Sequence, residues 1–417
     1  MLSKMKHDTP LGSRIAEVHN GSSLFTGDAG QGESNIRRWV IESDWLEAIV
    51  ALPLNMFYNT GIATYVWVLS NRKAEDRLGK VQLIDATQWF RPLRKNMGKK
   101  NCELSPEDIR RICDTFIAFE ETPQSKIFPN AAFGYWKVKV ERPLRLHSQL
   151  TRARIETLRY ASGDEEIRAA LYAKLGDALF NAADSVGPQL EKLLEDWDQT
   201  DSEDEAGEAD TPKKSLSDKT KKKLLSEATW RRDAMLLDIA NQLRKALGDD
   251  LFADHNDFLE KVAAALKKLE LKTSAPDLKQ IIAAVSWRVE DAPPVIKKVH
   301  KLGKTQPDPL RGFFEAQIDG KTCVVEYEPD SELRDFEQIP LLEEGGVEAF
   351  IRREVLPYTP DAWLVEGDTK IGYEVSFTRH FYQPPQLRTL GQISADILAL
   401  EQETEGLLHE ITKGATA

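Results

Sequence analysis

Six residues in one short loop, Asn55, Phe57, Tyr58, Asn59, Thr60 and Gly61, hold the strongest candidate recognition chemistry of this chain. The loop is polar and aromatic and carries a glycine. Two apolar runs of strand length flank it within Trp45–Leu69. In α/β proteins, binding groups sit on such loops at strand ends. The bland reading makes Phe57 and Tyr58 core plugs and Gly61 a turn residue. A second group is cationic: Arg91, Arg94, Lys95, Lys99 and Lys100 fall within Gln88–Asn101, expected to be a loop. These side chains can reach DNA phosphates, and a merely solvated loop of this composition is equally admissible. Other patterns fall short of a site. Gly27-Asp-Ala-Gly-Gln-Gly-Glu-Ser34 has phosphate-loop spacing, but Glu33 stands where the lysine is needed and repels phosphate. Asp361 and Glu374 are spaced like the carboxylates of a metal-dependent nuclease, yet Ser376 replaces the lysine that helps activate water. Asp361 also reads simply as a turn residue after Pro360. The seven histidines make no close ligand pair. Neither His19 nor His380 is assigned a catalytic role, and Trp89, Trp136, Trp287 and Trp363 read as core.

The elements that must position these residues follow from periodicity. Arg14–Asn20, Leu46–Leu52, Thr64–Ser70 and Val81–Ala86 read as strands, the middle two buried on both faces. Glu33–Ser43 is the helix after the first strand. Ser105-Pro-Glu-Asp starts another helix, running to about Phe119, with Ser as cap and carboxylates at its positive end. Trp136–Leu146 suggests an edge strand with Pro143. Leu150–Leu194 is helical in pattern. Glu195–Asp210 then holds nine acidic residues and is followed by lysines, which reads as a solvated linker. Lys222–Leu247, Asp257–Leu271 and Asp277–Trp287 are further helices. Strands Leu310–Ile318, Lys321–Tyr327 and Lys370–Phe377 with helix Gly346–Leu356 form a small α+β unit. In the final helix, Leu387–Ile411, the residues Ile393, Ile397, Leu400, Leu407 and Ile411 trace a heptad seam for subunit packing.

Composition bounds the function. The 417 residues allow two or three domains. A net charge of −12 argues against a wholly nucleic-acid-binding surface, while leaving room for a local basic face. Three scattered cysteines support neither a disulfide framework nor a zinc site, and point to a reducing cytoplasm. No apolar run approaches membrane-spanning length and the first residues are no signal peptide, so no membrane role is expected.

The order of several stretches resembles one family. Gly12–Gly27 with Glu33–Glu42, then Trp45–Leu69, then Cys323–Asp335, Arg352–Pro357 and Gly372–Arg379 are similar to the modification subunit of type I restriction-modification systems, which are adenine-specific DNA methyltransferases. The resemblance implies an α/β chain: a partial Rossmann-like methyltransferase sheet of distal strands, a helical region, a small α+β unit and a C-terminal heptad helix. The implied segments are 1–149 for the distal part of the catalytic domain, 150–194 helical, 195–216 flexible linker, 217–305 helical, 306–383 α+β and 384–417 for subunit packing. It places Phe57, Tyr58 and Asn59 beside the flipped target adenine, where an aromatic ring holds an unstacked base.

The resemblance also implies methyl transfer from S-adenosylmethionine, and partnership with a specificity subunit, a restriction subunit and DNA. The family's glycine-rich cofactor turn is missing here. So is its Asn- or Asp-Pro-Pro-aromatic tetrapeptide: the only Pro-Pro pairs are Ala292-Pro-Pro-Val295 and Gln383-Pro-Pro-Gln386. The expectation is a chain that starts after the catalytic half, binds no cofactor alone, and is completed by a separately encoded N-terminal half. The rival is a non-catalytic assembly protein.

Overall fold

In the computed structural model the described residues are 1–417 except 182, 204–215, 302, 366, 383, 385–386 and 415–417. They divide into two units: 1–137 with 338–347 and 370–417, and 138–337 with 348–369.

The first unit is built on a five-stranded sheet. Its strands are β1 (Arg14–Asn20), β2 (Leu46–Ala51), β3 (Thr64–Ser70), β4 (Lys80–Asp85) and, after an excursion, Ser125–Pro129, in the order β1-β3-β2-β4 and then Ser125–Pro129. Only β2 and β4 run parallel; the other pairs are antiparallel. Every residue of β2 is buried, as its apolar run requires, whereas β1 alternates exposed and half-buried along its whole length. The reason is position: β2 lies mid-sheet and β1 at the edge. Buried within the apolar run is Glu47, whose carboxylate meets Arg14 at 3.1 Å and Arg77 at 3.7 Å.

Helices cover both faces of the sheet. Helix α1 (Gly32–Glu42) sets Val40 and Ile41 against Leu46, Ile49, Trp67, Leu69 and Leu83. On the other face, Ile112 and Phe116 of α2 (Pro106–Ala118) pack on Val50, Leu52, Ile84 and Trp89. The α2 start has the expected cap: Ser105 Oγ accepts from Asp108 N–H at 3.1 Å, and Asp108 accepts from Ser105 N–H at 2.9 Å.

Strand Lys370–Tyr373 belongs to this first unit and not to an independent 306–383 unit. It pairs with 134–137, and Arg37 Nε donates to Tyr373 O at 2.7 Å while Tyr373 N–H donates to Ser34 Oγ at 3.0 Å. The expected edge strand is the interior strand Gly134–Glu141, flanked by Asp335–Pro340 on one side and by Trp363–Leu364 and Lys370–Tyr373 on the other. Its two ends are buried and no residue is exposed, because both of its edges are paired.

The second unit combines helices Glu165–Leu175, Ala183–Glu203, Asp218–Leu225, Glu227–Leu247, His255–Lys268 and Ala275–Ala284 with short antiparallel sheets. Phe258, Val262, Leu236, Ile239 and Ile281 form one core, and Leu171, Leu179, Leu190, Leu224 and Trp230 another. Residues 195–203 of the expected acidic linker continue a helix; 204–215 lie outside the described residues. The expected helix Gly346–Leu356 is a short α turn, Gly346–Phe350, followed by a π-helical turn, Ile351–Val355. Trp89 and Trp363 are buried, while Trp136 and Trp287 are half-buried.

Candidate functional site

The loop after β2 is shaped by two asparagines. Asn55 and Asn59 both take positive φ, +56°, a conformation that asparagine tolerates better than most side chains. A Cβ at Gly61 would sit 2.7 Å from Asn55 Oδ1, so the loop turns back on itself closely enough that a larger residue there would displace the Asn55 side chain. Phe57, Tyr58 and Asn59 are all exposed, and the first two are therefore not core plugs.

The stretch expected to be a basic loop is an antiparallel hairpin, β5 (Arg91–Met97) with β6 (Lys100–Glu103). Pro92, five charged side chains and no apolar alternation hide its strands from a pattern reading. The signal present was Gly98 beside Lys99 in a two-residue turn; Gly98 has φ +64°. The pairing carries an irregularity between Pro92 and Met97.

The hairpin lies along the loop. Asn101 N–H donates to Asn55 O at 3.1 Å, and the Cys102 thiol donates to Leu54 O at 3.1 Å. The Tyr58 hydroxyl reaches Met97 Sδ at 3.9 Å, and Lys100 Nζ lies 5.5 Å from the centre of the Tyr58 ring. At the tip, a Cβ on Gly98 would come within 2.6 Å of Asn59 Oδ1. The two groups that the sequence singled out separately are thus one surface. The five cations are not equivalent. Arg91 is spent on Glu103 at 2.6 Å and Lys100 on the Tyr58 face, whereas Arg94, Lys95 and Lys99 show no ion pair among the described residues. Between loop and hairpin opens a recess of about 660 Å³, lined by Asn55, Thr87, Gln88, Phe90, Asn96 and Asn101 among others. Its floor is fixed by Thr87, whose N–H and hydroxyl both bond Asp85 Oδ1, at 3.0 and 2.6 Å.

The glycine loop before α1 is occupied by its own side chains. A Cβ at Gly27 would meet Glu33 Oε2 at 2.7 Å, Asn35 Nδ2 donates to Gly30 O at 3.0 Å, and Asp28 pairs with Lys137 at 2.6 Å. The Lys137 contact holds the Asp28 carboxyl below its ordinary pKa. These residues do not form a cradle for S-adenosylmethionine.

The nuclease-like carboxylate Asp361 is committed elsewhere, to Arg142 at 3.3 Å and Arg145 at 3.0 Å. Among the described residues no group of three or more His, Cys, Asp or Glu side chains converges as a metal site. Of the seam residues, Ile393, Ile397 and Leu400 lie exposed on helix Leu390–Gly414, and the side chains of Leu407 and Ile411 fall outside those described. No helix among the described residues is long and apolar enough to cross a membrane.

Part of the chain is similar to known proteins. Residues 2–133 match the family model described as N-6 DNA Methylase. The type I restriction enzyme MjaIX methylase subunit of Methanocaldococcus jannaschii is 32% identical over 114 residues, covering 27% of this chain and 19% of the relative. The HindI methylase subunit of Haemophilus influenzae is 34% identical over 119 residues, 27% of this chain and 24% of that protein. The MpnII methylase subunit of Mycoplasma pneumoniae is 35% identical over 89 residues, 21% and 15%. A solved type I methyltransferase subunit from Streptococcus thermophilus overlaps at 25% identity and a TM-score of 0.24, over 29% of this chain and 24% of that one. The chain spans 15–24% of these curated relatives' length. Loop, hairpin and five-stranded sheet all lie within residues 2–133, the stretch that is similar to the N-6 DNA Methylase family.

Proposed function

We propose that this chain supplies the distal, DNA-facing part of a type I modification subunit. That subunit would methylate adenine at N6 in DNA, taking the methyl group from S-adenosylmethionine, in a complex with a specificity and a restriction subunit. The observation that carries the reading is the loop–hairpin surface: exposed Phe57 and Tyr58 beside unpaired Arg94, Lys95 and Lys99, inside the stretch that matches the family. Aromatic rings hold an unstacked base and cations hold its phosphates. The cofactor turn and the Pro-Pro-aromatic tetrapeptide are not among these residues, so methyl transfer is assigned to this segment only when joined by one that carries them.

The open edge of β1 is where that segment would join. β1 pairs only with β3 among the described strands. Beside it a trough of about 660 Å³ runs between β1 and α1, lined by Ile15, Ile36, Trp39, Val40, Trp67 and Leu69. An unpaired edge with apolar cover missing is a template for another chain. The seam on Leu390–Gly414, exposed at Ile393, Ile397 and Leu400, favours an additional assembly role toward another subunit.

The test is calorimetric titration of S-adenosylmethionine into the chain alone and into the chain co-expressed with an N-terminal methylase half. The chain alone should bind weakly or not at all and self-associate in sedimentation. The pair should bind one cofactor and methylate DNA. Tight one-to-one binding by a monomeric chain alone would refute the reading.

A further inference from the structure

We propose that the recess under the hairpin is a second base-binding site, taking an unstacked nucleobase of the DNA strand next to the target adenine. The proposal rests on the reading of Phe57 and Tyr58 as target-base contacts and adds Asn55, Gln88, Asn96 and Asn101 to the recognition surface.

The chemistry of the lining selects the ligand. Four carboxamides and the Thr87 hydroxyl face the recess, and no charged side chain does. None of the four carboxamides makes a side-chain hydrogen bond within the described residues. A carboxamide presents a donor and an acceptor side by side in one plane, which matches the paired edge groups of a base. Phe90, 40% exposed, adds an aromatic face, with Pro92 and Leu93 beside it. A free phosphate or a carboxylate ligand would want a cation inside, and a metal ion would want carboxylates; the lining has neither.

The cations stand on the same hairpin but outside the lining, at Arg94, Lys95 and Lys99. A neutral recess with a cationic neighbourhood suits a nucleotide, whose base is neutral and whose phosphates are not. The volume, about 660 Å³, falls in the range usual for ligand pockets, roughly 300–1,000 Å³. The mouth is also held in place. Asn101 N–H bonded to Asn55 O fixes two of the four carboxamide residues relative to each other, one on the hairpin and one on the loop.

The experiment uses the full chain at about 50 mM salt and fluorescence anisotropy. The probes are a single-stranded DNA of about 12 nucleotides, within the usual site size, and the same backbone with abasic sites. The intact strand should bind about tenfold more tightly than the abasic one, as expected of one stacked or bidentate base. Asn96→Ala with Asn101→Ala should cut that preference severalfold, leaving only the part carried by Phe57 and Tyr58, and leave abasic affinity unchanged. Gln88→Ala, outside the hairpin, should reduce it too and serves if the double variant fails to fold. Equal binding of both strands, or no saturable binding, overturns the proposal. Preference retained in the carboxamide variants but lost in Phe57→Ala with Tyr58→Ala overturns the recess and leaves the target-base reading standing. The opposite pattern supports the recess and removes the target-base role of the two rings.

Discussion

Both units rest on apolar cores, but the second encloses a charge pair completely between two helices, whereas the buried Glu47 of the first has a partner, Arg14, that reaches solvent. In the first, all six residues of β2 are buried, and Leu46, Ile49, Val81 and Leu83 are fully enclosed. In the second, the side chains of Arg168 and Asp233 form an ion pair at 0% exposure, with the guanidinium 3.9 Å from the Trp230 ring centre and Ser162 Oγ donating to Asp233 at 2.7 Å. Burial alone pushes Asp233 up and Arg168 down, against the charge of each. His255 is buried too, its Nδ1 2.7 Å from Ser148 Oγ, which sits 2.9 Å from Ser286 Oγ. Apolar burial is non-directional and fails gradually as atoms are removed. A buried charge pair is worth little until one partner is lost, and then costs much. The two units should therefore respond differently to substitution and to acid.

The largest effect is expected at Arg168. Arg168→Met should destabilise the second unit by about 3–5 kcal/mol, because the buried Asp233 would lose its close partner and keep only Ser162 and the more distant Arg232, 4.0 Å away. Replacing both residues with apolar ones should restore most of that loss. In the first unit, Leu83→Ala should cost about 2–5 kcal/mol, with no partner substitution able to rescue it. Urea unfolding of the four proteins measures the contrast, and a double variant no better than Arg168→Met would break it.

Acid sharpens the comparison next. Burial lowers the His255 pKa from 6.5 to about 4. Below pH 6.5 the unfolded chain takes up a proton that the folded chain refuses, so stability falls as pH drops toward 4 and levels off beneath it. The loss over that window is about 3 kcal/mol. His255→Gln should flatten that part of the profile in melts recorded from pH 7 to pH 4 (about the two pKa values), whatever it does to stability at neutral pH. An unchanged slope would mean that His255 titrates in the fold.

A smaller, local effect is expected at the hairpin tip. Gly98 has φ +64° and no room for a Cβ opposite Asn59, so Gly98→Ala should cost about 1 kcal/mol and loosen the hairpin from the loop. Hydrogen exchange at Asn101 N–H, which bonds Asn55 O, reads this directly. Full protection in the variant would show that the tip contact does not seat the hairpin. The smallest effect should come from Ile397→Asp with Leu400→Asp. Both side chains are about 60% exposed (59% and 61%), so the melt of the isolated chain should move by under about 0.5 kcal/mol. Capture of a co-expressed specificity subunit should nonetheless be lost. Capture unchanged would remove the seam from the partner surface.

Much of the first unit was legible in the sequence. Arg14–Asn20 and Thr64–Ser70 are strands at the boundaries read from alternation and apolar runs, and the Ser105 cap starts its helix where side-chain chemistry places it. These are local signals, since each element records its own environment in a few consecutive side chains. Asn55–Gly61 was likewise visible as a candidate loop, because polar and aromatic residues between two apolar runs have no place in a strand. The basic hairpin was not visible as strands. Arg91–Glu103 has no apolar face, and its order is supported by contacts with Leu54, Asn55, Tyr58 and Asn59, more than thirty positions away.

The sequence by itself determined the strands Arg14–Asn20 and Thr64–Ser70, the capped helix start at Ser105, and the polar, aromatic break Asn55–Gly61 between two apolar runs. Tertiary structure alone decided that loop and hairpin share one surface, that Arg91 and Lys100 are already engaged while Arg94, Lys95 and Lys99 are not, and that Tyr373 is held by Ser34 and Arg37. It also decided that Arg168 meets Asp233 and that His255 meets Ser148. The physical reason is separation along the chain. Hydrophobic period and capping act over one or two turns, whereas a buried ion pair or a strand's partner depends on where distant backbone arrives, which no window of neighbouring residues records.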